Sequence, residues 1–77
     1  MQATRAMKLW CLSVGISPTI FTEPRVKFAL DDSDPVDTLR AIQRCHTSYP
    51  SGDGGPFVLG PREQLEFLQL MRGSDAN

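Results

Sequence analysis

Four carboxylates fall within the stretch DDSDPVD, at Asp31, Asp32, Asp34 and Asp37. Such density could hold a divalent cation or supply an acid–base pair. A calcium loop needs oxygen ligands continuing at alternate positions and a glycine at the sixth. Here Asp32 and Asp34 are followed by Val36, and no glycine appears. A catalytic pair needs one carboxylate in an apolar pocket that raises its pKa, which adjacent surface acids do not provide. Helix-start chemistry fits better. Asp34 can cap, Pro35 has no N–H to leave unpaired at the first helical position, and Asp37 can reach back from the third. The cluster is read as punctuation where a strand gives way to a helix.

Cys45-His46 is the only neighbouring nucleophile-and-base pair. Adjacent helical side chains point about 100° apart, so the two do not meet within hydrogen-bond reach. One histidine cannot build a triad or a histidine-rich metal site, and Cys11, Cys45 and His46 lack zinc spacing. The glycines of SGDGGP lack the lysine and following helix of a phosphate loop, so a turn is expected there. LGP leads into a helix start whose N–H groups could meet an anion, as any helix start could. Arg25 and Lys27, with Arg5 and Lys8, suggest a modest basic patch without a stacking platform of aromatic rings, so nucleic acid is not expected as a partner. No catalytic residues, metal site or cofactor are predicted.

The elements that position these residues follow from patterning. From Lys8, Trp10, Leu12, Val14 and Ile16 alternate with Leu9, Cys11 and Ser13, which predicts a central strand. RVKFAL predicts a half-buried strand with Val26, Phe28 and Leu30 inward and Arg25, Lys27 and Ala29 outward. Between them, SPTIFTEP offers Ile20-Phe21 either as part of a bent hairpin or as a loop presenting two apolar side chains. A helix from Pro35 to about Ser48 places Leu39, Ile42, Cys45 and Tyr49 on one arc, with Thr38 and Ala41 at its margin. TSYPSGDGGPF reads as a connector, FVL at 57–59 as a short strand, and GPREQLEFLQLMRG as a helix from Pro61 that Gly73 stops. The expected fold is α+β, in the order β-β-α-β-α: a three- to four-stranded, mostly antiparallel sheet with two helices on one face. Residues 1–77 form one domain, with 1–6 and 74–77 frayed.

Size bounds the rest. A chain of 77 residues buries only about 60% of its unfolded surface, so a partner or self-association helps it. Net charge is −1, split into +3 over residues 1–30 and −4 over residues 31–77. No apolar run approaches the roughly 18 residues of a membrane span. The N-terminal MKLWCLSVGI lacks a small-x-small cleavage site, and its strand-like pattern argues against a leader. Two cysteines at no framework spacing point to reduced thiols and a cytoplasmic setting.

The last helix carries the functional expectation. Leu65, Phe67, Leu68, Leu70 and Met71 sweep roughly 220°, more than the apolar stripe an ordinary surface helix needs. Phe67, Leu70 and Met71, with Ile20 and Phe21, are therefore the predicted interface to another protein, and a homodimer is expected. The reading is a non-enzymatic inhibitor or adaptor acting by surface occlusion. Small inhibitors encoded by phages and mobile elements, anti-CRISPR proteins among them, form such a class, though no residue here singles them out. The alternatives are a homo-oligomer holding an anion or nucleotide at the 50–61 loop and the following helix start, and a weak nucleic-acid binder.

Overall fold

The computed structural model describes residues 1–47 and 59–76. Among them it is helical throughout, with no strand: α1 (Arg5–Ser13), a 3-10 turn (Pro18–Thr22), α2 (Pro24–Asp31), α3 (Pro35–Thr47) and α4 (Pro61–Ala76). This overturns the α+β sheet. Of the connector expected over 47–57, Thr47 ends α3; the rest of it, Tyr49 included, and the first two residues of the expected 57–59 strand lie outside the described residues.

The two expected strands are α1 and α2, and the reason is which residues share a face. In α1 the buried set is Met7, Trp10 and Cys11, spaced i, i+3, i+4, while Leu12 is 60% exposed. In α2 it is Val26, Ala29 and Leu30, and Phe28 is 73% exposed. Both sets follow a period of 3.6 rather than two. Pro18, Pro24, Pro35 and Pro61 each open a helical element, the position where the missing N–H costs nothing.

Local chemistry fixes the helix ends. The Met7 amide donates to Thr4 Oγ1 at 3.2 Å, and the Thr4 amide donates to the Met7 sulfur at 3.5 Å, a reciprocal cap at the start of α1. Met1 and Ala3 pack against the core. α1 stops at Gly15, whose φ of +79° a side chain would resist. The Ile16 amide donates to the Cys11 carbonyl at 2.8 Å and the Gly15 amide to that of Leu12 at 3.3 Å, a Schellman closure. α2 closes in the same way: the Asp34 amide donates to Ala29 and the Ser33 amide to Leu30, with Ser33 at φ 56°. Asp34 then caps α3, its Oδ1 accepting from the Asp37 amide at 3.1 Å. One aspartate thus ends one helix and begins the next. The acidic cluster is helix-to-helix punctuation, and the Asp34 amide is satisfied by Ala29 rather than by the Asp37 side chain. Gly73 does not stop α4, which runs to Ala76.

The core gathers Met7, Trp10 and Cys11 with Ile16, Ile20 and Phe21, then Val26 and Leu30, Leu39, Ile42 and Cys45, and Leu59, Phe67 and Met71. Each large side chain taken from water contributes about 1.5–3 kcal/mol. Thr38 is the buried polar residue among those described, and its hydroxyl donates to the Asp34 carbonyl at 2.6 Å. Among the described residues no buried side-chain nitrogen or oxygen lacks a hydrogen-bond partner. No described helix is long and apolar enough to cross a membrane.

Candidate interaction surfaces

The residues expected to form an interface divide on folding. Phe67 and Met71 are 0% and 1% exposed and belong to the core, with Ile20 and Phe21 beside them. Ile20-Phe21 sits in the 3-10 turn, held by Ser17 at its start and by the Thr22 hydroxyl, which donates to the Thr19 carbonyl at 2.6 Å. Leu70 is half-buried, and Leu65 is the α4 side chain left outside, at 53% exposure. The wide apolar arc of α4 is thus mostly consumed by its own small core.

What α4 leaves open is a trough against α1. It measures about 670 Å³ and is lined by Ala6, Leu9, Trp10 and Ser13 on one side and Glu66, Gln69, Leu70 and Gly73 on the other. The small side chains of Ala6, Ser13 and Gly73 keep the helices from filling it. Trp10 forms part of its wall: the indole ring lies 4.7 Å from the Phe67 ring, tilted by 50°, and Nε1–H donates to the Glu63 carbonyl at 3.1 Å. That bond fixes α4 relative to α1 through a carbonyl of the first turn of α4, itself reinforced by Gln64 Nε2, which donates to the Leu59 carbonyl at 2.9 Å. Leu9 and Leu12 are exposed on α1.

The α2–α3 face is different in kind. A hollow of about 260 Å³ is lined by Arg25, Phe28 and Ala29 from α2 and Asp37, Arg40, Ala41 and Arg44 from α3. Arg25 and Lys27 do not form one patch, because two residues on a helix turn through about 200°. Arg25 instead joins Arg40 and Arg44. Arg40 and Arg44 stand one turn apart on α3, and the strand expected over residues 25–30 gives no reason to group Arg25 with them.

Cys45 and His46 both line a hollow of about 230 Å³ with Ile16, Ser17, Thr19, Ile20 and Glu23. Burial pushes the Cys45 thiol up, Glu23 adds to the rise and Arg25 opposes it. Burial pushes the Cys11 thiol up to about 11. Both thiols are therefore protonated at neutral pH and poor nucleophiles, and both are free. Among the described residues no group of three histidine, cysteine, aspartate or glutamate side chains could hold a metal ion. The expected anion site at the 50–61 loop falls largely outside the described residues.

No family model, no curated protein and no solved structure matches this chain.

Proposed function

We propose that the chain is a small non-enzymatic protein-binding module, an inhibitor or adaptor that works by covering a partner's surface. The α1–α4 trough carries this reading. It is open, runs two turns along each helix and is walled by Leu9, Trp10 and Leu70, which suits a short amphipathic helix laid along it with apolar anchors at i, i+3 and i+4. A small ligand would instead want a site that encloses most of its surface. Glu66 is the one charged lining residue among those described, so the matching helix carries a lysine or arginine beside its apolar stripe. Two buried thiols that remain free support a reducing, cytoplasmic setting.

The test begins with capture from the native host by the wild-type chain and by Leu9→Asp, an exposed position where the change spares the core. A captured protein counts only if it is lost from Leu9→Asp and shifts the amides of Ala6, Leu9, Ser13 and Gly73 in the labelled wild-type chain. A partner retained by the variant, with shifts elsewhere, sinks the reading.

A further inference from the structure

The α2–α3 face carries charge in a regular order. Arg25 stands in the first turn of α2 and Asp32 is the C-cap just beyond its last residue, with Phe28 and Ala29 between them. In α3 the order runs Asp37, Arg40 and Ala41, Arg44. Arg25 to Asp32 and Asp37 to Arg44 are each seven residues apart, two turns or about 10 Å along a helix, so each pair returns to the same face. The chain reverses at the turn over residues 32–34. Asp32 and Asp37 therefore lie at the turn end of the face, Arg25 and Arg44 at its far end. Phe28, the most exposed large apolar side chain of the described residues, sits midway.

A face that is positive at one end and negative at the other, with Phe28, Ala29 and Ala41 beside Arg40 in the middle, brings opposite charges together at both ends when turned end for end on a second copy. We infer that this face joins two copies of the chain across a two-fold axis, with Arg25 and Arg44 of each copy meeting Asp32 and Asp37 of the other. The Phe28 rings meet near the axis, where the small Ala29 and Ala41 leave room for them. Arg40 lies beside the rings, where a guanidinium can rest on an aromatic face. Such an isologous contact closes on itself and ends at a dimer. A long polyanion is a poorer occupant, because Asp31, Asp32 and Asp34 crowd one end of the face and repel it. The surface shares no lining residue with the α1–α4 trough, so it stands independently of the binding reading.

Sedimentation equilibrium of the full chain tests the dimer, with circular dichroism confirming that each variant stays folded. The wild type dimerises at about 0.05 M salt and loses at least about tenfold in affinity at about 0.5 M, as screening of exposed charges requires. The double variants R25E/R44E and D32K/D37K are each monomeric, and mixing them in equal amounts restores a mixed dimer. Restoration is the decisive arm, since damage to the fold cannot be repaired by a second damaged chain. A monomeric wild type overturns the inference, as does a dimer that survives both double variants, or a mixture that stays monomeric. So does a monomer that takes an acidic heptapeptide or an oligothymidylate through Arg25 and Arg40.

Discussion

The α1–α4 seam and the α2–α3 hairpin are both pairs of packed helices, yet they hold together differently and leave different surfaces. α1 and α4 are far apart in sequence and meet through large groups, the Trp10 and Phe67 rings and the indole bond to Glu63. Small residues beside that contact leave an apolar trough. α2 and α3 are adjacent and joined by a capped turn, and Val26 and Leu30 share the core with Leu39 and Ile42. Their outer face holds charges and an exposed Phe28. Both pairs bury side chains in one core; the hairpin adds the backbone bonds of its short turn, whereas the seam joins distant segments through contacts such as Trp10 with Phe67.

The largest effect should come from breaking the seam. Phe67→Ala removes a fully buried ring and should cost about 3–5 kcal/mol in urea unfolding, enough to leave this small domain barely folded. A loss under about 1 kcal/mol would show that the rings do not secure the seam. Next comes pH. Folding raises the Cys11 pKa from 9.0 to about 11, so the folded state holds its proton more tightly than the unfolded chain. Stability is therefore full below about pH 9 and is lost as pH rises through 11, by at most about 3 kcal/mol. Cys11→Ala should flatten that slope in melts taken across the range.

On the hairpin side the effects are smaller and of both signs. Asp34→Ala loses the α3 cap and should cost about 1 kcal/mol. Ser33→Gly relieves a left-handed residue and should gain about 0.5–1 kcal/mol, read as a raised Tm. Smallest of all, Phe28→Ser should change monomer stability by no more than about 0.5 kcal/mol, because the ring is exposed. A larger loss would mean that Phe28 secures the hairpin and would erase the contrast between the two regions.

Sequence patterning reached some of this and missed the rest for identifiable reasons. The α3 cap was legible because Asp34, Pro35 and the Asp37 amide interact within one turn. The same rule, applied to Pro18 and Pro24, would have marked two further helical starts. α1 and α2 were misread because a short apolar segment can satisfy both periods. Trp10 and Val14 belong to the alternating set and to the helical one alike, and the tie is broken by Met7, lying before the alternation begins, and by Cys11, buried in place of Leu12. In α2 the small Ala29 concealed the inward face, while Phe28 drew attention to the outward one. The site suffered in proportion. α4 is as apolar as expected, but Phe67 and Met71 fill a core whose other walls had been assigned to a sheet. Leu70 alone of the predicted interface residues lines the trough, and its opposite wall on α1 could not be anticipated from a strand.

Trp10 is the single tryptophan of the chain, and it stands in the wall of the trough with its ring against Phe67. Light absorbed at the red edge of the indole band is therefore re-emitted from one known spot. A guest helix seated there, or a parting of α1 from α4, should shift the colour of that emission without any added dye. Association through the Phe28 face should leave the emission unchanged, so one optical channel can tell the two events apart.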